Sequence, residues 1–319
     1  MAQKTKKTAE EKRQDIKKLF ELIDTEASKP VTGEAWADFL GTNKFFYQYS
    51  ARNQSLIRSQ SIAAEFVAAF KKWQEYGRQV MKGEKAIYIL APRVHKYYLG
   101  KDGEKYRVND PDRPEDATEK QYTTYVRVPV FDISQTEEAS TVDEDTRLKF
   151  VAVKKRIEQA NGIENVPDNS DTAKTLLETV TDYVKSKGIN IEYRDTAGTL
   201  NGYTSIMCDG KKIVLRKNAT AGQTLRTLVH EYAHCVLKHD YKKDGRDVPE
   251  LEAESVSYIV CSLLGVDASS YSFGYIERWQ GFKGAKLIDC KERITKTARE
   301  IIEQFEEYKA ALCAEPAAA

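Results

Sequence analysis

Apolar residues recur with a helical period in the first part of the chain. In residues 1–30 they follow i, i+3, i+4 spacing from Ile16 to Ile23, and Pro30 ends the predicted helix. Further helices are predicted at 35–40, 53–58 and 62–76. Gly77 stands in the C-cap position of the last one, and Gly77 and Gly83 are predicted to serve backbone geometry.

The period then changes to that of strands. Residues 86–90 form a short run rich in β-branched and aromatic side chains that ends before Pro92, and 123–131 form a possible partner. Between them, 101–120 are rich in Asp, Gly and Pro, which is typical of a long loop or hairpin tip. The first 135 residues are therefore predicted to form helices followed by a small sheet.

Residues 136–147 have almost no large apolar side chains and cannot add much to a core. We predict that they link an N-terminal domain, 1–135, to a C-terminal domain, 148–319. In the second domain, helices are predicted at 172–187, 222–238, 250–264 and 288–308. Strands are predicted at 189–193, 203–207 and 212–215, with Asp209-Gly210 as a hairpin turn. The predicted fold class is α+β with two domains.

The composition narrows the class of protein. The chain has 319 residues, 41% hydrophobic and 31% charged, as in an ordinary soluble protein. No run approaches the roughly 20 apolar residues of a membrane span, and the polar N-terminus has no secretory signal. The five cysteines contain no C-x-x-C pair, which argues against a disulfide framework or a Cys-based zinc finger. We expect a cytoplasmic protein with no membrane partner.

The segment His230-Glu231-Tyr232-Ala233-His234 lies in a strongly helical stretch. Residues four apart on a helix share one face, so both imidazoles can bind one tetrahedral Zn²⁺. Glu231 follows the first ligand, where its carboxylate can reach a metal-bound water. This is the H-E-x-x-H zinc signature. The simpler alternative, two histidines without a metal, does not explain the carboxylates that follow.

A zinc site needs a third protein ligand, and the helix predicted at 250–264 supplies candidates. Glu250 and Glu254 are four apart and share a face, whereas Glu252 points away from them. We predict Glu250 as the ligand, a gluzincin-like arrangement, and Glu254 as the acceptor that fixes the N–H of a ligand histidine. Glu252 is the competing ligand. His239 lies at the wrong spacing for a histidine-rich motif and is predicted to be exposed.

The expected chemistry is hydrolysis of a peptide bond. Zinc activates its water and polarises the scissile carbonyl, while Glu231 acts as general base. The strand at 212–215 precedes the motif helix and is a candidate edge strand for pairing with the substrate backbone. No residue stands out as the group that stabilises the oxyanion; Tyr203, Tyr258 and Tyr271 are equivalent candidates.

Segments in both halves of the chain resemble known families. Residues 227–234 together with 250–254 resemble the ImmA/IrrE-type metallopeptidase domain, which implies a zincin-like C-terminal domain with Glu250 at the third-ligand position. Residues 49–57 and 73–86 resemble the ArdC-type single-stranded-DNA-binding domain, and Tyr275-Ile276-Glu277-Arg278-Trp279 is similar to ArdC-like antirestriction proteins. The resemblance implies a plasmid or other mobile-element protein that binds single-stranded DNA and protects incoming DNA from restriction.

Residues 41–98 agree with that resemblance. They hold ten Lys/Arg against three Glu and interleave them with aromatic residues, as in proteins that neutralise phosphates and stack on bases. A solvated basic face beside an aromatic core is the ordinary alternative. The predicted DNA contacts are Arg52, Asn53, Arg78, Lys82 and Lys85, with Tyr47 and Tyr49 as candidate stacking residues.

Three functions stay open on this basis. The first is an active zinc peptidase, located on DNA by its N-terminal domain, that cleaves an unknown protein substrate. The second is a non-catalytic antirestriction protein whose zinc is structural. The third is a regulatory protease that cleaves a repressor, as the ImmA/IrrE resemblance implies, although no helix-turn-helix is evident.

Overall fold

A computed structural model describes residues 7–28, 32–161, 166–195, 201–207, 210–266 and 285–314. Three helices open the chain: α1 (Ala9–Ala27), α2 (Gly33–Phe46) and α3 (Ala51–Gln60). Thr8, Thr32 and Ser50 cap them by accepting a hydrogen bond from a backbone N–H of the first turn. The three helices predicted from the apolar spacing of this region are therefore present, with α2 longer than expected.

A small antiparallel sheet follows. Its order is β1-β5-β3-β4, built from β1 (Val67–Ala68), β3 (Ile87–Leu99), β4 (Lys105–Tyr106) and β5 (Thr118–Asp132). Helix α4 (Phe70–Glu75) lies between β1 and β2 (Arg78–Val80), and β2 pairs with β6 (Thr136–Glu138).

Two sequence expectations for this region are wrong. The helix predicted at 62–76 begins only at Phe70, because residues 67–68 pair with β5 instead. The strand predicted to end before Pro92 continues to Leu99 opposite β5. Pro92 is tolerated because, at its position, β3 has β5 alone as a neighbour among the described strands.

The second half begins with α5 (Glu144–Ala160), α6 (Asp171–Ser186) and β7 (Asn190–Arg194). It continues with β8 (Gly202–Met207), β9 (Gly210–Arg216), α7 (Ala221–Leu237), α8 (Tyr241–Asp244), α9 (Asp247–Leu263) and α10 (Ala285–Ala314). The predicted helices and strands of this half are confirmed within a few residues. Asp209 of the predicted turn Asp209-Gly210 lies outside the described ranges. Tyr271, a candidate for stabilising the oxyanion, also lies outside them.

The sheet of the second half corrects the predicted edge strand. Its order is β7-β9-β8, with β9 parallel to β7 and antiparallel to β8. The strand predicted at 212–215 belongs to β9 and is central, because β7 occupies the side that was expected to be open. The edge beside helix α7 is β8.

Helices α2 and α3 pack on the second half of the chain. Trp36, Phe39, Leu40 and Ala51 belong to the same buried apolar cluster as residues of α6, α7, α9 and α10. The Trp36 Nε1 donates to Ser255 Oγ of α9 at 3.1 Å, in a buried contact. The Glu292 carboxylate of α10 accepts the backbone N–H groups of Ala51 and Arg52 at 3.0 and 3.1 Å, which caps α3.

The segment predicted as a linker, 136–147, contains β6 and the first residues of α5. The division at 135 and 148 stays a prediction. In the part of the chain that the structure describes, no helix is both long and apolar enough to cross a bilayer.

Candidate metal centre

Helix α7 carries both histidines of the sequence motif. Thr220 caps its first turn by accepting from Gln223 N, and the helix runs unbroken to Leu237. His230 and His234 are one turn apart, and their Nε2 atoms lie 3.1 Å from each other. The spacing of the motif therefore places two nitrogen donors at one point, as the sequence predicts.

Glu250, at the start of α9, completes a set of three donors. Its Oε2 lies 3.5 Å from His230 Nε2 and 4.0 Å from His234 Nε2. A tetrahedral ion with bonds of about 2.0–2.1 Å separates its ligand atoms by roughly 3.3 Å, so the three donors fit one divalent cation. Among the described residues this is the cluster of His, Cys and acidic groups that could hold a metal.

The competing ligand Glu252 lies on the other side of α9. Its side chain is only 1% exposed and contacts α10, where Arg293 Nη2 lies 3.1 Å from its Oε2. The helical argument for Glu250 over Glu252 therefore agrees with the geometry. The assignment of Glu250 as a metal ligand itself stays a prediction.

Glu231 lies beside the donors and is buried, with 8% of its surface exposed. The Thr204 hydroxyl of β8 lies 2.7 Å from Glu231 Oε2 and 3.1 Å from its carbonyl oxygen, so it can donate to either. Burial raises the pKa of the Glu231 carboxyl, while His230 and the Thr204 hydroxyl act in the opposite direction. The carboxylate predicted as general base is thus held in place by a strand that the sequence did not connect with it.

Tyr241 is a site residue that sequence reasoning missed. Its hydroxyl donates to Glu250 Oε1 at 2.8 Å and lies 3.4 Å from His234 Nε2. Burial, together with the bond to Glu250, raises the pKa of the Tyr241 hydroxyl. It is therefore a neutral hydrogen-bond donor at the donor cluster. Its short helix, α8, follows the motif without a sequence signature of its own.

His239 was predicted to be exposed, and that prediction is wrong. Its side chain is only 2% exposed. Lys238 adopts a left-handed conformation, φ 57° and ψ 44°, which ends α7 and turns the next residue back onto the helix. His239 Nδ1 lies 2.7 Å from His234 Nδ1, and His239 Nε2 lies 3.0 Å from Glu252 Oε2.

Glu254 was predicted to fix the N–H of a ligand histidine. In the structure it lines the same cleft and interacts electrostatically with His230. Within the described part of the chain it makes no hydrogen bond to His230 or His234, and the Nδ1 of His234 contacts His239 instead. Four residues after Glu250, Glu254 keeps to the open side of α9, and burial raises the pKa of its carboxyl.

The donor cluster lies in a cleft of about 1560 Å³ between α7, α9 and the edge strand β8. Gly202, Tyr203 and Thr204 of β8 line one wall, and β8 is an edge strand among the strands that the structure describes. The volume exceeds the roughly 300–1,000 Å³ of sites for small molecules. The cleft can therefore accept an extended segment of a larger substrate.

Several residues predicted to contact DNA are used inside the fold. Arg52 pairs with Glu292 at 3.3 Å and with Asp289 at 3.7 Å on α10. Asn53 exchanges two hydrogen bonds with the backbone of Leu90, at 2.9 and 3.0 Å, and so joins α3 to β3. Their spacing in the sequence carried no information about these partners, because the partners lie far away along the chain.

Of the five remaining candidates for DNA contact, three have partners within the fold and two have exposed side chains. Tyr49 donates to the Val67 carbonyl at 2.8 Å, and burial raises the pKa of its hydroxyl to about 12. Tyr47 lies under the Arg156 guanidinium, 4.2 Å from its ring centroid. Arg78 donates to Thr136 and stacks on the ring of Phe150. Lys82 and Lys85 have exposed side chains, so of the seven they are the ones that stay fully open to a ligand.

A second surface of aromatic and basic side chains lies on the arm formed by residues 91–99 of β3 and 118–126 of β5. Three cross-strand pairs share one face: Arg93 with Thr124, His95 with Tyr122, and Tyr97 with Lys120. The rings of His95 and Tyr122 are stacked at 4.9 Å, and Tyr122 is 53% exposed. We call this the aromatic face of the arm; it carries two basic side chains and, within these three pairs, no acid.

Comparison with known proteins adds an independent finding. Residues 6–134 match the family model described as the N-terminal domain of anti-restriction factor ArdC. An uncharacterized protein of Bacillus anthracis is 27% identical over 326 aligned residues, which cover 94% of this chain and 52% of that protein. The chain thus spans about half the length of this relative.

Two solved structures are also similar, both of the antirestriction protein ArdC from the R388 plasmid. The metal-free form is 17% identical, with a TM-score of 0.48, over 82% of this chain and 86% of that one. The Mn(II)-bound form is 18% identical, with a TM-score of 0.42, over 84% and 86% of the two chains. The family match by itself shows that residues 6–134 of this chain are similar to the N-terminal domain of anti-restriction factor ArdC.

Proposed function

We propose that this protein is a mobile-element antirestriction protein that combines a divalent-metal-dependent peptidase site with a surface for single-stranded DNA. The observation that carries the peptidase proposal is the convergence of His230, His234 and Glu250 within 4.8 Å, beside the buried carboxylate of Glu231. Two imidazoles and one carboxylate around an open cleft match the ligand set of catalytic rather than closed structural zinc sites.

The residues divide the chemistry between them. His230, His234 and Glu250 would hold the cation, which, when bound, activates water and polarises a carbonyl. Glu231 accepts the proton of the attacking water at a carboxylate oxygen and returns it to the leaving amine. The Tyr241 hydroxyl, 2.8 Å from Glu250 Oε1 and 3.4 Å from His234 Nε2, is our candidate donor for the oxygen that becomes negative in the transition state.

The shape of the cleft favours an extended peptide as substrate. The free edge of β8 presents backbone N–H and C=O groups that can pair with such a segment in the manner of an added strand. A peptide paired with β8 would lie beside Thr204. It would therefore also lie close to Glu231, because the Thr204 hydroxyl hydrogen-bonds to the Glu231 carboxylate.

The decisive experiment compares wild type with Glu231→Gln and Glu250→Ala. We expect one zinc per chain in the wild type and in Glu231→Gln, and loss of zinc in Glu250→Ala. On a fluorogenic peptide library, Glu231→Gln should lose roughly 10²- to 10⁴-fold in rate, the usual contribution of a general base. Glu303→Gln, the same change on the exposed side of α10, is the control.

Each outcome separates the functions left open by the sequence. Hydrolysis by Glu231→Gln at the wild-type rate would contradict the peptidase proposal. Zinc retained by a chain that hydrolyses nothing favours the antirestriction protein with structural zinc. No zinc after purification without chelators would leave the N-terminal domain as the seat of function.

The proposal for single-stranded DNA rests on the aromatic face of the arm. Tyr97, Tyr122 and His95 supply ring surfaces for unpaired bases, and Arg93 and Lys120 supply charge for the phosphates. The match to the ArdC N-terminal domain includes the whole arm. The exposed Lys82 and Lys85 lie before β3, where they could extend the basic track.

Binding of a fluorescent oligonucleotide, measured by anisotropy at fixed salt, tests this surface. Tyr122→Ala should weaken binding by roughly 5- to 150-fold, as expected from about 1–3 kcal/mol per stacked base. Tyr98→Ala is the matched control, because Tyr98 lies on the opposite face, bonded to Glu119 and covered by Arg113. Equal losses of affinity in the two variants, or no loss in either, would contradict the proposal that the aromatic face binds DNA.

A further inference from the structure

Behind the metal donors lies a chain of contacts that ends at the buried carboxylate of Glu252, which is paired with the half-exposed Arg293. His234 Nδ1 contacts His239 Nδ1 at 2.7 Å, His239 Nε2 contacts Glu252 Oε2 at 3.0 Å, and Arg293 contacts the same oxygen at 3.1 Å. We infer that His239, held by Glu252, is a positioning residue that fixes the tautomer of His234 and so presents the lone pair of His234 Nε2 to the cation. This inference rests on the metal site of the proposed function.

With His239 as a neutral imidazole, the chemistry of the groups gives the direction of every bond. A carboxylate can only accept hydrogen bonds, so the proton between Glu252 and His239 belongs to His239 Nε2. A neutral imidazole that carries its proton on Nε2 has an acceptor at Nδ1. His239 Nδ1 therefore accepts, and His234 Nδ1 must be the donor of the 2.7 Å contact. The remaining nitrogen of His234, Nε2, then has no proton and faces His230 Nε2 and Glu250.

The surroundings hold this arrangement in place. The side chains of His239 and Glu252 are only 2% and 1% exposed, so water cannot replace either partner. The guanidinium of Arg293 lies 3.1 Å from the carboxylate oxygen that also accepts from His239, and this positive charge favours the ionised, accepting form of Glu252. Lys238 in its left-handed conformation sets the backbone that turns His239 back onto α7.

The expected consequence concerns affinity for the cation. A histidine that binds through Nε2 must carry any proton on Nδ1, and a second hydrogen bond at Nδ1 normally secures this. In metal-binding histidines this second hydrogen bond usually goes to a carboxylate, a carbonyl or a water. Here His234 contacts a second histidine, His239, which in turn contacts the carboxylate of Glu252. Loss of such a partner typically weakens metal binding by about 10- to 100-fold.

The direct test is the tautomeric state of the imidazoles in the metal-free protein. The chain has four histidines, so a long-range ¹H–¹⁵N spectrum contains four ring systems that single substitutions can assign. We expect the Nδ1–H form for His234 and the Nε2–H form for His239. In His239→Leu, His234 should lose its pure Nδ1–H pattern. An Nε2–H form of His234 in the wild type would overturn the inference.

The second test measures binding of Zn²⁺ alone, by competition with a chromogenic chelator. His239→Leu should raise the dissociation constant about 10- to 100-fold. His239→Gln, whose amide keeps one acceptor and one donor, should recover part of that loss. Gln14→Leu, a polar-to-leucine change at an exposed position of α1, is the control. A His239→Leu protein that is folded and binds Zn²⁺ as tightly as the control would also overturn the inference.

The two tests separate this inference from the proposed function. Peptidase activity enters neither of them, so an inactive protein can still show the predicted tautomers and affinities. If no variant binds Zn²⁺, the proposed metal site fails, while the spectrum of the metal-free protein still decides whether His239 orients His234.

Discussion

At the scale of single residues, the most consequential contact outside the metal donors joins Thr204 to Glu231. The hydroxyl of an edge-strand residue holds the carboxylate that the proposed mechanism uses as base, at 2.7 Å. The same strand lines one wall of the cleft. In the proposed mechanism, positioning of the base and docking of the peptide would therefore be linked through one short strand.

Replacing Thr204 by Val removes this hydroxyl and keeps the shape of the side chain. A hydrogen bond to a charged group contributes about 1.5–3 kcal/mol, so we expect a fall in kcat of roughly 10- to 100-fold, with zinc content unchanged. Steady-state kinetics and metal analysis of the purified variant measure both quantities. Thr179→Val on α6, where the hydroxyl bonds only to the Thr175 carbonyl, is the control. An unchanged kcat would show that Thr204 does not position Glu231.

At the scale of elements, the end of α7 decides where His239 lies. Lys238 is one of two non-glycine residues with positive φ in the described part of the chain. A side chain with a Cβ is disfavoured there, and helices commonly place glycine at this position. Lys238 thus occupies a conformation that opposes local preference, next to His239, whose side chain is held by His234 and Glu252.

We therefore expect Lys238→Gly to raise the free energy of unfolding by about 0.5–1 kcal/mol, because glycine adopts this conformation without steric cost. Urea denaturation measures the change. Lys187→Gly, at the end of α6 with φ −86°, should lower the free energy of unfolding, because glycine offers no relief there and costs backbone entropy. A loss of stability in both variants would contradict the strain assigned to Lys238.

At the scale of the whole molecule, one apolar core joins the two halves that the sequence separates. Trp36, 1% exposed, is packed in that core and is bonded to Ser255 of α9, the helix that also carries Glu250. The cap that Glu292 provides for α3 ties the halves together a second time. Because a shared core makes unfolding cooperative, the halves should unfold together.

Calorimetry should accordingly show a single transition in the wild type. Trp36→Ala should lower the free energy of unfolding by about 3–5 kcal/mol and move the whole transition to lower temperature. The buried thiols Cys235 and Cys290 of the second half should become exposed in the same, shifted transition. Ile62→Ala is the control, because that side chain is 83% exposed. Two separate transitions, with only one shifted by Trp36→Ala, would favour the independent domains predicted from the sequence.

Prediction from the sequence succeeded where the signal was local. Helices α6, α7, α9 and α10 and the convergence of His230 and His234 follow from apolar period and i, i+4 spacing, which depend on the geometry of a single helix. For Arg52, Asn53 and Tyr49 the predicted DNA contacts stay a prediction, and the sequence carried no signal of the contacts that these side chains make within the fold. Their partners, Glu292, Leu90 and Val67, come from distant parts of the chain.

The sequence by itself determined the motif helix, its two imidazoles and the adjacent carboxylate, because neighbours on one helix keep their relative positions in any fold. It also favoured Glu250 over Glu252, since helical phase separates them. Only the tertiary structure decided that Thr204 holds Glu231, that Tyr241 reaches Glu250, and that His239 turns back to connect His234 with Glu252. Those contacts depend on how separate elements pack and on one left-handed residue, and neither leaves a periodic trace in the chain.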